Sequence, residues 1–553
     1  MSNQLFRKKS LDTIVEDARK AAGSEGALKK VLGVRDLTSM GIAAVIGAGI
    51  FSTIGQAAYD GGPGVIFLFI ITAVTCGFTA LCYAEFASRV PVAGSAYTYS
   101  YVTFGEITAW IIGWALILEY GIGNVVVSIS WSSYFNNLLE GIGLHMPAWL
   151  ATDPETARQS FLRAQQAGLD TTALAWATAP TIGGLKFIAN LPAAIIIVLI
   201  TILAYIGIKE SKKSANFMVG LKLVVLAIIV LIGVFYIDTD NWIPFLPNQF
   251  TGVLKGVSAV FFAYIGFDAI STTAEECKDP QRDLPRGMIY SLIICTVIYV
   301  IVTLVITGMV NYSEFDNVSD PLAYVFEKIN LSKVGFFISV SAVIAATSVL
   351  LVFQLGQPRI WMSMSRDGLL PKRFGKIHPK FQTPAFATVI TGIIVAIPSL
   401  FIESALMTDL TSIGTLFAFV LVCGGVLLLP PDALSNTNRR FKLPYINGQF
   451  IVPILLAIFL YSFRERVEDA FLNLSNESRQ EILFLVFVII SVTIAIFSFL
   501  KKFSLIPVLG MLCCMYLMIE IPARSWVVFF GWMAFGLVIY FSYGFWRSKL
   551  AGK

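Results

Sequence analysis

The stretch SMGIAAVIGAGIFSTIG, residues 39–55, decides the fold, because it is apolar enough to lie in a membrane and yet carries Gly47, Ala48 and Gly49 near its middle. Glycine disfavours an α-helix by about 1 kcal/mol relative to alanine, so two glycines within three residues predict a local unwinding. Unwound backbone at membrane depth is found where it is buried in protein or lines a cavity. The stretch therefore predicts an interrupted transmembrane helix, although glycines that only permit close helix packing are the alternative explanation.

A second stretch, VFFAYIGFDAISTTAEE at residues 260–276, predicts another interruption. It carries Gly266 and, two residues later, Asp268. A charged side chain at the centre of a transmembrane helix costs about 2.5–3.5 kcal/mol on insertion scales. The two stretches are the first and the sixth apolar spans of the chain, so they open two successive blocks of five spans. Interrupted helices at corresponding positions of two halves are typical of the binding site of a membrane transporter.

An interrupted helix exposes backbone groups of both polarities. The amides at the start of one half-helix favour an anion, and the carbonyl groups at the end of the other half-helix favour a cation. The zwitterion of an amino acid needs both kinds of group. The two breaks therefore indicate an amino acid site near the middle of the membrane.

The composition agrees with a membrane protein, since 56% of the 553 residues are hydrophobic and only 14% are charged. The net charge of +5 is small and does not indicate nucleic acid as a partner. The seven cysteines lie in or at the ends of apolar runs, where they behave as small hydrophobic residues. The two histidines, His145 and His378, lie in predicted loops, so we expect no metal site and no cofactor.

Fourteen apolar stretches are candidates for membrane spans, of which the eleventh is short. They are predicted at residues 37–58, 64–88, 104–138, 188–208, 214–236, 251–277, 286–310, 333–362, 383–402, 406–430, 450–464, 481–500, 503–520 and 525–546.

The distribution of basic residues predicts the orientation. With the N-terminus in the cytosol, the cytosolic segments hold roughly three times as many Lys and Arg as the outer ones, which the positive-inside rule favours. Both termini are therefore expected in the cytosol. In the outer segment 139–187, the run ETARQSFLRAQQAG predicts a short helix. The predicted organisation is a tail (1–36), a ten-span transport core (37–430), four further spans (431–546) and a tail (547–553).

Six motifs carry a resemblance to a known family. They are GAGIF (47–51), WALILEYGIG (114–123), NFMVGLKL (216–223), FFAYIGFDAISTTAEECKDPQRDLPRGM (261–288), GQPRIWMSMSRDGLLP (356–371) and PVLGMLCCMYLM (507–518). With them the chain resembles the amino acid–polyamine–organocation superfamily and, within it, the cationic amino acid transporter family. This resemblance implies an all-α polytopic membrane protein with a LeuT-like fold. Spans 1–5 and 6–10 would form an inverted repeat, with extra C-terminal helices for about fourteen in all.

The resemblance also implies roles for the residues at both breaks. The backbone amides that would bind the carboxylate of the substrate are those of Gly47, Ala48 and Gly49. The carbonyl groups that would bind its ammonium are those of Ile46, Phe262, Ala263 and Ile265.

Three ionisable residues lie inside predicted spans. Lys222 is a functional candidate by default, because a lysine is costly in a membrane. By the resemblance its ammonium would stand where sodium-coupled relatives hold an ion, which implies proton coupling or independence from sodium. The alternative is a lysine that extends to the membrane surface. Glu119 could contact a cationic substrate, take part in proton movement or pair with another helix. Asp268 could contact the substrate or cap the second half of the sixth span.

The sequence thus predicts a secondary active transporter of cationic or a broad range of L-amino acids, working by alternating access with proton symport. It would lie in the plasma membrane, or the inner membrane of a bacterium, with amino acids, protons and membrane lipids as its partners. A small accessory membrane helix is left open. A sodium-independent exchanger or facilitator, a transporter-like nutrient sensor and a channel remain as alternatives. A membrane enzyme is not expected, because no convergent catalytic side chains are found.

Overall fold

A computed structural model of the protein describes residues 6–9, 32–89, 95–207, 212–316, 318, 320–429, 441–472 and 479–550. Of the predicted N-terminal tail, it describes only residues 6–9 and 32–36. Most of the segment that joins the predicted core to the last four spans, and the final three residues, lie outside the described residues.

In the described residues of the first half of the chain, the regular structure is helical except for one short hairpin. Its helices are α1 (Val34–Val45), α2 (Ile54–Gly61), α3 (Val65–Arg89), α4 (Ser95–Thr103), α5 (Glu106–Gly141), α6 (Pro154–Gln166), α7 (Ala175–Thr178), α8 (Leu191–Ile206), α9 (Lys212–Gly233), α10 (Gln249–Lys255) and α11 (Val257–Phe262). Strands β1 (Thr181–Ile182) and β2 (Leu185–Lys186) pair antiparallel between α7 and α8.

The second half continues the same pattern. Its helices are α12 (Pro280–Met309), α13 (Pro321–Lys328), α14 (Ser332–Arg366), α15 (Ala385–Phe401), α16 (Ser404–Leu428), α17 (Ile451–Ser462), α18 (Arg464–Leu472), α19 (Arg479–Lys501), α20 (Leu505–Ile519), α21 (Ala523–Ile539) and α22 (Phe545–Arg547). Two π-helical turns and six 3-10 segments lie between these helices: Gly49–Thr53 and Tyr540–Gly544; Gly62–Gly64, Ala148–Leu150, Val234–Tyr236, Thr239–Trp242, Phe267–Glu276 and Tyr312–Phe315.

The apolar helices confirm a polytopic, nearly all-helical membrane protein. Among the described residues, eight helical stretches are long and apolar enough to cross a membrane, and a ninth is added when the bent pair α10 and α11 is taken as one. Helices α8, α15, α17 and α20 are apolar but shorter. The eleventh predicted span, α17, has 12 residues and so extends only about 18 Å. The first and sixth predicted spans are each divided into several helical pieces, and each of the others lies largely on one helix. The number of crossings stays a prediction.

The helices pack in two groups. Helices α1, α3 and α12 and the 3-10 helix Phe267–Glu276 pack against one another, and they belong to the first, second, seventh and sixth spans. Helix α5 packs along α14 and also contacts α8 and α15 from the fourth and ninth spans. The division separates both interrupted spans from a group of continuous helices.

The last long helix, α21, is fastened to α5 by tryptophans. The indole Nε1 of Trp114 donates to the carbonyl oxygen of Trp532 at 2.9 Å, and that of Trp532 donates to the carbonyl oxygen of Trp114 at 3.2 Å. The two rings stack with their centroids 4.8 Å apart. Trp110 adds a hydrogen bond of 3.0 Å to the carbonyl oxygen of Gly536. These paired contacts hold α21 against the continuous helices.

The segment after α5 forms a small cap outside the long helices. The predicted short helix is confirmed as α6, and the Asp153 carboxylate caps it by accepting from the amides of Glu155 and Thr156 at 3.1 and 2.9 Å. Ala157, Ala179 and Ile188 make a small apolar cluster beneath it. Because the cap has its own cluster, it is a folded element and more than a connecting loop.

Asp320, just before α13, gives the protein a pH-dependent contact in the loop between α12 and α14. Burial raises the pKa of this carboxyl to about 7; the nearby Glu327 adds to the rise, and the hydrogen bond from Asn137 at 2.7 Å opposes it. An aspartate in an unfolded chain has a pKa of about 3.9. The folded protein therefore binds more protons here between about pH 4 and pH 7, and its stability falls as the pH rises through this range.

We expect Asp320→Asn to remove this loss of stability at rising pH, because asparagine stays neutral and its side-chain oxygen can still accept a hydrogen bond from Asn137. The variant should be more stable than the wild type at pH 7.5, by on the order of 2–4 kcal/mol, and equally stable near pH 4. Thermal unfolding in detergent at a series of pH values measures this. Asp316→Asn is the control, since Asp316 is exposed and only faces Arg163 at 3.7 Å. Parallel pH profiles for wild type and Asp320→Asn would contradict the assignment.

Candidate substrate site

The first span is interrupted where the glycines predict it. Helix α1 ends at Val45, Ile46 is extended with φ −76° and ψ 95°, and a π-helical turn begins at Gly49 before α2 continues the span. In a continuous helix, the carbonyl groups of Ala43, Val45 and Ile46 would accept from the amides four residues later. The interruption removes those partners and confirms the predicted break.

The sixth span is interrupted at the corresponding place. Helix α11 ends at Phe262, and Gly266 takes φ +115°, a backbone conformation that glycine adopts readily. The 3-10 helix from Phe267 to Glu276 completes the span. Asp268 lies in the first turn of this helix, where a carboxylate is favoured by the helix N-terminus. The break is therefore confirmed, and capping by Asp268 stays a prediction.

The two breaks touch each other. A Cβ atom added at Gly49 would lie 2.3 Å from the Cα of Ala263, closer than any real contact. One placed on Gly266 would lie 3.0 Å from the Cβ of Ala44. The Thr53 hydroxyl lies 2.9 Å from the carbonyl oxygen of Gly49 and 3.0 Å from that of Ala259, so it joins both spans. Glycine is thus needed for the close approach as well as for the breaks.

Lys222 lies at the end of α1. Its side chain is buried, with 1% of its surface exposed, so it does not extend to a membrane surface. The ammonium nitrogen donates to the carbonyl oxygens of Ala43 and Ile46, both at 2.9 Å. It therefore occupies two of the acceptors that the first break sets free.

Tyr299 from α12 is a residue that the sequence reasoning missed. It is fully buried, and its hydroxyl oxygen lies 2.9 Å from the carbonyl oxygen of Val45 and 2.8 Å from that of Ala263. It contacts one carbonyl group from each break. A hydroxyl in the middle of an apolar span was the only signal in the sequence.

The residues predicted to bind the substrate are all buried and lie at or next to the breaks. Of the carbonyl groups expected to bind the ammonium, Ile46 accepts from Lys222, Ala263 is in contact with Tyr299, and Phe262 accepts from the amide of Ile265 at 3.2 Å. Gly47 faces the neighbouring group of helices, since a Cβ there would lie 2.8 Å from Val349. Each carbonyl oxygen has two lone pairs and so can accept a second hydrogen bond.

Glu119 and Asp268 form a buried acidic pair beside the breaks. Both are at most 2% exposed, and they lie close enough for their carboxylates to repel each other. Among the described residues, Glu119 Oε2 and both carboxylate oxygens of Asp268 have no hydrogen-bond partner. The hydroxyls of Tyr83 and Tyr120 lie near the pair and are also without a partner there. Such groups are costly unless a ligand, a proton or water satisfies them.

A cavity of about 640 Å³ opens at the ends of the half-helices α2 and α10 that are remote from the breaks. Its lining includes Tyr59 and Asp60 after the first break, Lys255 before the second, and Tyr312 from the loop after α12. Groups of both charges thus line an opening beside both interrupted spans.

Together these groups form a site that can bind an ion of mixed charge. The breaks supply amides and carbonyl groups, Lys222 supplies a positive charge, and the acidic pair supplies negative charge or protons. Within the described residues, no group of three or more His, Cys, Asp or Glu side chains is arranged to hold a metal ion.

Comparison with known proteins finds a family and several relatives that this chain is similar to. A profile described as amino acid permease matches residues 32–492, and one described as the C-terminus of AA_permease matches residues 504–548. The chain is 37% identical to the branched-chain amino acid permease BcaP of Bacillus subtilis (strain 168) over 550 residues, which cover 100% of both chains. It is 36% identical to the methylthioribose transporter of the same organism over 98% of each chain.

A plant relative matches over a shorter range. The vacuolar cationic amino acid transporter 4 of Arabidopsis thaliana is 34% identical over 80% of this chain and 70% of its own length. The names of the family and of these relatives are those of permeases and transporters, in agreement with the expectation of a transporter instead of an enzyme. On the match over most of its length, the chain belongs to the amino acid permease family.

Proposed function

We propose that the protein carries L-amino acids across the plasma membrane by proton-coupled symport with alternating access. The observation that carries the proposal is the pair of breaks, which brings the interrupted backbones of both spans together at Gly49 and Ala263. An amino acid bound there has the amides of Gly47, Ala48 and Gly49 for its carboxylate. The carbonyl groups of Ile46, Phe262, Ala263 and Ile265 face its ammonium.

The packing supports alternating access. The first, second, sixth and seventh spans form one packed group, and the third, fourth, eighth and ninth form the other. We propose that the first group rocks against the second around the bound substrate. With both termini in the cytosol, the cavity lined by Asp60 and Lys255 opens to the outside and lies on the entry path.

Lys222 supports the proton in this proposal. Its ammonium holds together the broken end of α1 through Ala43 and Ile46, as a bound cation would. When it loses its proton, two of the carbonyl groups at the break lose a charged donor, and the first span is released. A proton that binds Lys222 outside and leaves inside would then drive the cycle.

The acidic pair supports a cationic side chain in the substrate. Two buried carboxylates that repel each other, with three oxygens unpartnered in the described part of the chain, are stabilised by a ligand that brings a positive charge. The substrate class proposed is therefore L-arginine, L-lysine and similar amino acids, with neutral amino acids also accepted when the pair is protonated.

We expect Glu119→Gln to lower the affinity for L-arginine and L-lysine by about 10- to 100-fold, because a charge-assisted contact is worth about 1.5–3 kcal/mol. The affinity for L-leucine should change by less than about threefold. Binding of all twenty L-amino acids and of methylthioribose to purified protein, read by thermal shift and then by titration, tests this. Glu314→Gln, in the loop after α12, is the control. Equal losses for leucine and arginine would contradict the proposed selectivity.

Methylthioribose is included in the screen because a relative covering 98% of the chain is named for it. A thermal shift with methylthioribose and none with any amino acid would replace the amino acid proposal. Flux in proteoliposomes then separates the mechanisms. Net uptake driven by a proton gradient supports symport. Uptake that occurs only when the vesicles already contain substrate supports an exchanger, and binding without flux supports a sensor.

A further inference from the structure

The hydroxyl of Tyr299 stands between the two breaks with one hydrogen for two acceptors. Its oxygen lies 2.9 Å from the carbonyl oxygen of Val45 and 2.8 Å from that of Ala263. Val45 is the last residue of α1, and Ala263 follows the last residue of α11. A tyrosine hydroxyl donates a single hydrogen bond. The two carbonyl oxygens therefore share one hydrogen, and at least one of them lacks a full hydrogen bond from Tyr299.

The surroundings offer Tyr299 no freedom to resolve this conflict. Its side chain is fully buried, and its ring packs edge-on against Phe69 and Tyr264, with centroid distances of 5.7 and 5.4 Å. A carbonyl oxygen that is buried without a donor costs free energy. The missing component at this point is one further hydrogen-bond donor.

We propose that Tyr299 is a substrate-site residue that occupies the carbonyl oxygen of Ala263 in the empty transporter and releases it to the ammonium of the substrate. On binding, the ammonium donates to Ala263, and the Tyr299 hydroxyl donates to Val45 alone. The carbonyl oxygens of Val45 and Ala263 then each have a hydrogen-bond donor. The inference rests on the proposed function, because it requires a substrate with an ammonium group at Ala263.

This exchange has an unusual consequence for Tyr299→Phe. Without the hydroxyl, both carbonyl oxygens lack that donor in the empty protein, and the ammonium still supplies one of them on binding. Binding therefore relieves the same cost as in the wild type, so Kd and KM should stay within about threefold, while the variant unfolds at a lower temperature. A residue that only supports the fold would give weaker binding instead.

Tyr264→Phe is the matched control. Tyr264 is buried to the same degree and packs directly against Tyr299, but its hydroxyl donates to the carbonyl oxygen of Phe69 at 3.0 Å, away from the breaks. Titration calorimetry on purified protein and initial rates in proteoliposomes, with the amino acid that gives the largest thermal shift, give Kd, KM and kcat for the three proteins. The control should lose stability and keep the wild-type Kd within about threefold.

Each outcome decides a separate point. Binding that is weaker by more than about tenfold in Tyr299→Phe, with Tyr264→Phe like the wild type, would overturn the role of Tyr299 and leave the proposed function standing. A wild-type protein that binds none of the twenty amino acids would overturn both. For the case in which Tyr299→Phe does not fold, 3-fluorotyrosine is placed at position 299 or at position 264. The fluorine resonance should move on amino acid binding at 299 and stay at 264, and no movement at 299 overturns the inference.

Discussion

Lys222→Ala should abolish the stimulation of amino acid uptake by an inward proton gradient, while part of the substrate binding remains. The ammonium of Lys222 is the donor to the carbonyl groups of Ala43 and Ile46 at the first break, each at 2.9 Å. Alanine leaves both buried acceptors without that donor, at about 1–3 kcal/mol each. The variant should therefore also unfold at a lower temperature. Uptake into proteoliposomes with an imposed pH difference and no membrane potential measures the coupling.

Two further variants test whether coupling needs the release of a proton from Lys222 or only its positive charge. Lys222→Arg keeps a positive donor that does not lose its proton at physiological pH, so it should bind substrate and yet show no stimulation. Lys501→Ala removes an exposed lysine from the end of α19, away from the cavity and the breaks, and should keep the full response. Stimulation that is unchanged in Lys222→Ala would refute the proton role.

Gly49→Leu should eliminate amino acid binding, by more than about 100-fold in Kd, because it forces the two breaks apart. Even the first atom of a side chain would lie 2.3 Å from the Cα of Ala263, and overpacking of this kind costs about 1–3 kcal/mol or more. The backbone groups proposed to bind the two ends of the zwitterion would lose their common position. Isothermal titration on protein that elutes as a single species measures the effect.

Gly220→Ala is the matched control for this substitution. Gly220 lies two residues before Lys222 on α9, and a Cβ atom there would have no neighbour within 4 Å. It should bind with the wild-type Kd within about twofold. Normal affinity in Gly49→Leu would show that the substrate binds elsewhere.

The breaks could be predicted because their cause is local. Gly47, Gly49 and Gly266 lie in apolar spans that otherwise favour helix, and the departure from that pattern is visible in the sequence alone. The burial of Lys222 could be predicted for a similar reason, since a lysine eight residues into an apolar span has few alternatives. Resemblance added the expectation that these elements meet.

Tyr299 could not be predicted, because its partners are backbone carbonyl groups 254 and 36 residues away. A tyrosine within TVIYVIV is indistinguishable in sequence from one that only fills space. The acidic pair had the same difficulty. Glu119 and Asp268 were each recognised, but their proximity depends on how the third span packs beside the sixth. Composition and spacing therefore do not identify the residues whose contacts join separate helices.

The reciprocal indole contacts between Trp114 and Trp532 hold α21 against α5, so α21 should move together with the continuous helices. A rigid binder, such as an antibody fragment raised against the exposed side of α21, would add mass and an asymmetric landmark to a small particle. Because the proposed motion leaves α5 in place, such a fragment would allow images of several working states by electron microscopy without arresting turnover.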